Sequence, residues 1–254
     1  MSKNSVKTKT TDVDYAETAV PQEGRRGFVT MFMIMLGFTF FSASMWAGQE
    51  MAAGLDFWGF VKALILGGVI LGIYTGLLGY VGAKTGLSMD LLARKAFGER
   101  GSCISSAMIS FTQIGWFGVG VAMFALPVSK ELLGGSEAAM WILVILAGGC
   151  MTAPAYFGIK SLTIISYIAV PLVGILGTVA MVMAVSRGDG TIIDQFAVSS
   201  GSLSVIGGAG LVIGSFVSGG TATPNFTRFA KDAKTGTVAT VVAFFLGNSL
   251  MFFF

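Results

Sequence analysis

The sequence predicts an all-α polytopic membrane protein, on three observations. Its 254 residues are 54% hydrophobic and only 11% charged, whereas soluble domains carry about a quarter charged residues. Apolar runs of roughly 20 residues, the length that crosses a hydrocarbon layer, recur along the chain. The basic residues fall almost entirely in alternate connections between those runs. Strands of an outer-membrane barrel would alternate in polarity over about 10 residues, and these runs are longer and continuously apolar.

Residues 1–26 are polar and of mixed charge, from Lys3 to Arg26, with few large apolar side chains. They cannot bury enough surface to fold alone and are expected to form a disordered cytoplasmic tail. With no apolar stretch after their basic residues, they do not resemble a cleaved signal peptide. Seven apolar runs follow, at 27–46, 57–83, 102–128, 139–157, 161–185, 203–226 and 235–254. Thirteen of the 16 basic residues lie in the tail and in the second-to-third, fourth-to-fifth and sixth-to-seventh connections. The alternate side holds only Lys62, Lys130 and Arg187. Positive residues stay inside, so the amino terminus is expected in the cytoplasm and residues 186–202 form an extracytoplasmic loop. The seventh run stops at Phe254 without a basic stop or polar tail. A terminus at bilayer depth would leave carbonyls and a carboxylate in hydrocarbon, so a longer chain is expected.

Composition excludes several chemistries. There is no histidine, which removes histidine metal ligands, histidine general bases and Ser-His or Cys-His nucleophile pairs. Cys103 and Cys150 sit in different runs; their spacing fits neither a zinc motif nor a disulfide framework, and both are expected to pack. No Asp, Glu or Arg falls in the middle of a run, although a charge there would cost about 2.5–3.5 kcal/mol and therefore mark function. Neither a catalytic residue nor a cofactor is expected, the chain does not read as an enzyme, and its partner is the lipid bilayer rather than nucleic acid. A coupling cation would be held by backbone carbonyls and hydroxyls, which suits Na⁺ better than H⁺.

Two runs look interrupted. The first places glycines, hydroxyls and aromatics mid-run, in Gly37-Phe38-Thr39-Phe40-Phe41-Ser42-Ala43-Ser44-Met45-Trp46-Ala47-Gly48. The sixth does so more strongly, in Gly214-Ser215-Phe216-Val217-Ser218-Gly219-Gly220-Thr221-Ala222-Thr223-Pro224. Glycine costs about 1 kcal/mol and proline about 3 in a helix interior, and backbone groups freed in lipid need partners. Small and hydroxyl residues also serve as packing surfaces in membrane helices; the Gly-Gly-to-Pro run weighs against that reading. Two broken runs five apart have opposite directions, which points to an inverted-repeat transporter with its site between the breaks. In the third run Gln113 and Trp116 share a helix face. They offer an amide donor and acceptor beside an aromatic plane, suited to a flat neutral heterocycle; an interfacial Trp and an interhelical Gln are the alternative. Gly68, Gly72 and Gly76 form a close-packing stripe, Pro154 and Pro171 are expected to kink their helices, and Asn248 is expected to make an interhelical hydrogen bond.

The stretches 40–46, 78–87, 113–125 and 244–252 closely resemble the nucleobase:cation symporter 1 family, in its cytosine permease branch. That resemblance implies a LeuT-type fold of two inverted five-helix repeats in the bacterial inner membrane. Residues 27–185 would form the first repeat and 203–254 the truncated start of the second, about seven spans in all. It implies secondary active uptake of cytosine or a similar nucleobase, coupled to Na⁺ or, alternatively, H⁺. Gln113 and Trp116 would be the amide and stacking platform, Ser215 and Phe216 a hydrogen-bonding and an aromatic contact, and Phe41 and Ser42 border residues of the pocket. Carbonyls of Gly37 and Phe40 would hold the ion. A passive channel, or a transporter of another small neutral heterocycle such as a hydantoin, is the alternative.

Overall fold

The computed structural model describes residues 15–187, Phe196 and 200–254; residues 1–14 and most of the 186–202 connection lie outside the described residues. Each apolar run is helical. The first span is two helices, Phe28–Thr39 and Ser42–Gly54, bent by 56°. The second is Phe57–Thr85, the third Met89–Leu132, the fourth Glu137–Tyr156 and the fifth Ile159–Arg187. The sixth is Val205–Thr221 with a single further turn at Pro224–Thr227. The seventh runs from Ala233 to Phe253 through a π turn at Phe244–Asn248.

Local chemistry sets these starts and stops. Asp56, Ser88, Ser136, Ser204 and Asp232 each accept a hydrogen bond from an amide of the first turn they precede, satisfying donors that a helix leaves free. Gly86, at φ 70°, ends the second span in the left-handed conformation that glycine adopts without strain. The third helix begins at Met89 rather than near residue 102, because a polar helical segment precedes the apolar one across Gly98, whose φ is 73°. Pro154 and Pro171 lie inside their helices without ending them.

The second span packs between the sixth and seventh. A Cβ on Gly67 would lie 2.6 Å from Val212, and one on Gly76 would lie 2.5 Å from Val241, so these glycines let the backbones approach. Of the expected stripe, Gly68 and Gly72 make looser contacts with the seventh span, at 3.4 Å and 3.9 Å.

Two expectations change. Residues 15–26 are not a free tail: Val20 is buried against Ala83, Ile159 and Phe229. The Val20 amide donates to Gly86 O at 2.9 Å, and Arg25 Nη1 donates to Ala83 O at 2.7 Å. Arg26 pairs with Ala230 in an isolated parallel bridge. The backbone of the second-span terminus offers acceptors that the composition of the tail does not reveal. The chain around Val20–Arg26 thus meets the end of the second span and the Phe229–Ala230 segment. Cys103 and Cys150, expected to pack, are exposed, because the third and fourth spans turn most of their apolar surface outward.

Candidate functional site

A cavity of about 230 Å³ lies among the first, third, fourth and sixth spans. Phe41 from the break, Gln113, Trp116 and Phe117 from the third span, and Ser215 and Phe216 from the sixth line it. Phe38, Met151, Ser218 and Gly219 complete the wall. None of these side chains ionises. Phe38 meets Phe216 edge-on with ring centroids 5.2 Å apart, and Phe41 meets Trp116 edge-on at 5.7 Å, geometries that the aromatic quadrupole favours. Trp116 Nε1 donates to Ser218 Oγ at 3.1 Å. Gln113 Nε2 is buried and has no hydrogen-bond partner. An idle buried donor costs about 1–3 kcal/mol.

The first span breaks at Phe40 and Phe41, which leave helical geometry at φ −78°, ψ 76° and φ −118°, ψ 125°. The Phe41 amide turns back to Thr39 O at 2.9 Å and the Ser44 amide reaches Phe41 O at 3.0 Å. Among the described residues no backbone amide beyond the break donates to the carbonyls of Gly37, Phe38 or Phe40. Among the described residues no cluster of acidic or cysteine side chains could hold a metal.

Residues 19–254 match the family of permeases for cytosine/purines, uracil, thiamine and allantoin. The chain belongs to this permease family. It is 45% identical over 243 residues to the cytosine permease of Escherichia coli K12, which covers 96% of this chain and 57% of that permease. The cytosine permeases of Escherichia coli O6:H1 and O157:H7 match equally. The chain therefore spans a little over half the length of these curated relatives. Among solved structures, the nucleobase-cation-symport-1 transporter Mhp1, closed with bromovinylhydantoin bound, superposes with a TM-score of 0.80 at 17% identity. That match covers 94% of this chain and 55% of Mhp1. The fold is thus the LeuT type, of which this permease chain contains about half.

Of the residues singled out in the sequence, Gln113, Trp116, Phe41, Ser215 and Phe216 all line the cavity. Ser42 does not; its hydroxyl points to the third span and donates to Met123 Sδ at 3.4 Å. Ser215 Oγ is bonded to its own helix, at Val212 O. Gly37 faces the fifth span, where a Cβ would lie 2.8 Å from Ser166 Oγ, and its carbonyl and that of Phe40 flank the break. Ser218 was missed as a site residue, although it lies i+3 from Ser215 and so shares its helix face.

The sixth-span interruption also moves. Val205–Thr221 is one continuous helix, and the chain departs from it only at Ala222 and Thr223, before Pro224. The glycine pair is a packing device: a Cβ on Gly219 would lie 3.1 Å from the Phe216 ring, and one on Gly220 would lie 2.8 Å from Thr75. Pro224 opens the next turn, at a first helical position where its missing amide donor is tolerated. Short-range bonds from Ala222 to Gly219 and Thr223 to Gly220 close the turn and leave fewer free peptide groups than the sequence suggests.

Proposed function

We propose that this chain carries the nucleobase contacts and the first cation contacts of a secondary active transporter that imports cytosine with Na⁺ by alternating access. The observation that carries this reading is the pairing of an unpartnered Gln113 amide with the Trp116 indole on one uncharged cavity. A planar base stacked on the indole presents ring acceptors and an exocyclic amine to such an amide. The cavity is smaller than the roughly 300 Å³ at which pockets for drug-sized ligands begin, which suits one small ring.

The ion would lie at the first-span break, on the carbonyls of Gly37 and Phe40, since carbonyl oxygens suit a hard cation. Base and ion would share the first span: Phe41 lines the cavity and Phe40 immediately precedes it. Each ligand would then favour the same closed arrangement, and together they would shift the population further than either alone. The protein would reside in the bacterial inner membrane with its amino terminus in the cytoplasm, as the basic residues in alternate connections support. It would move its substrate chemically unchanged.

Uptake of labelled cytosine into proteoliposomes of the complete protein, with Na⁺ and proton gradients imposed separately, tests this. Uphill accumulation that collapses without the Na⁺ gradient is the expected result. Simple equilibration would indicate a channel, and accumulation driven only by protons would overturn the ion assignment. Competition by uracil, adenine and hydantoin measures how far the stacking site discriminates.

A further inference from the structure

The break in the first span faces a second irregularity, the π turn of the seventh span, and two hydrogen bonds join them. The Thr39 hydroxyl shares its single proton between Leu36 O of its own helix, at 2.9 Å, and Ala243 O of the seventh span, at 3.2 Å. Ser44 Oγ donates to Asn248 Oδ1 at 3.0 Å. Thr39 and Ser44 flank the break, while Ala243 precedes the π turn at Phe244–Asn248 and Asn248 is its last residue. Thr39, Ser44 and Asn248 are all buried. Gly247 sits inside the turn, where a Cβ would collide with the Thr39 hydroxyl, so only glycine lets the helices meet this closely.

The spacing explains why both irregularities are present. Residues five apart in a regular α-helix are rotated about 140° from each other and cannot both face one neighbour. A break between Thr39 and Ser44 brings both toward the seventh span. The wider π turn does the same for Ala243 and Asn248.

We propose that Thr39, Ser44 and Asn248 are positioning residues that dock the two lips of the break onto the π turn. The seventh span then fixes the direction of the Phe40 carbonyl and the Phe41 ring from behind, without touching either ligand. This deepens the transport reading above and rests on it for its functional consequence: losing the dock weakens the ion more than the base, because the ion's carbonyls belong to the docked segment while Gln113 and Trp116 belong to the third span.

The test uses the complete protein in lipid nanodiscs, with Na⁺ and labelled cytosine as probes and the variants Thr39→Val, Ser44→Ala and the hydroxyl-retaining Thr39→Ser. Amide hydrogen exchange over residues 40–44, without ligand, reads the dock directly: Thr39→Val and Ser44→Ala should speed it about fivefold, the scale of one neutral hydrogen bond, and Thr39→Ser should not. The same two variants should raise the half-saturating Na⁺ concentration for cytosine binding about fivefold, with cytosine affinity at saturating Na⁺ unchanged and Thr39→Ser restoring the wild-type value. Unchanged exchange in both variants, or equal weakening of Na⁺ and cytosine, overturns the dock. If wild-type protein binds cytosine with no response to Na⁺, the coupling assignment fails, and exchange alone decides the dock. Should Thr39→Val not fold, Ser44→Ala carries the same readings.

Discussion

The Trp116 indole donates to Ser218 across the cavity at 3.1 Å, so the third and sixth spans hold the ring jointly. The bond occupies the only donor that indole has, leaving Trp116 a stacking plane rather than a hydrogen-bonding group. In the proposed reading, the unpartnered amide of Gln113 takes up the hydrogen-bond recognition.

Replacing Trp116 with alanine should therefore weaken cytosine binding by about 1–3 kcal/mol, the range for one base on one aromatic ring. Trp116→Phe should keep most of that stacking. Equilibrium binding of labelled cytosine to the complete protein checks both, and normal binding by Trp116→Ala would remove its assigned role.

Ser218→Ala should weaken cytosine binding by about 1 kcal/mol through the lost anchor of the ring. Ser215→Ala should change it less, since the Ser215 hydroxyl is already committed to Val212. The order of the two effects in one binding series is the measurement.

Gln113→Leu should separate function from stability. Because Gln113 Nε2 has no partner in the unliganded protein, removing it should leave the melting temperature unchanged or higher. Cytosine binding should fall sharply in the same preparation. A loss of stability matching the loss of binding would show that the amide is structural.

Gly219→Ala should narrow the cavity. The new methyl would press on Phe216 and Phe38 at about 3.1 to 3.3 Å, tilting rings that form the wall, and overpacking of this kind costs about 1–3 kcal/mol. Reduced binding with an intact fold, read by circular dichroism, is expected.

Asp232 caps the seventh span. The hydrogen bond from the Thr235 amide is the main cause holding its carboxyl below the ordinary 3.8. A depressed carboxylate contributes its stability above that ordinary value and loses it as pH falls through the lowered one. Asp232→Asn keeps the cap without the titration, so the difference in melting temperature between the two proteins should change only in that acidic window.

Most of the architecture was legible because hydrocarbon imposes length and continuity. The second span ends within two residues of its expected limit at 83, and the fifth extends two residues beyond each expected end. Polarity misled where helices leave the apolar layer: Gln49 and Glu50 hid the continuation of the first span to Gly54, and the Asp90–Arg100 stretch hid the start of the third. In the site, Gln113 and Trp116 stood out because an amide beside an indole is unusual in mid-span. Ser218 did not, because one hydroxyl among many carries its meaning only once its neighbour across the cavity is known. Gly219 and Gly220 were misread for a related reason: glycine marks close approach as well as helix breakage, and only the position of Phe216 and Thr75 distinguishes the two.

The uncharged lining of the cavity has an electrical consequence. In the proposed transport reading, a neutral base carried there would contribute nothing to the current, and every elementary charge crossing with it would belong to the accompanying ion. Recording voltage-clamped current alongside radiotracer flux would convert that neutrality into a direct ion-to-base ratio for the turnover.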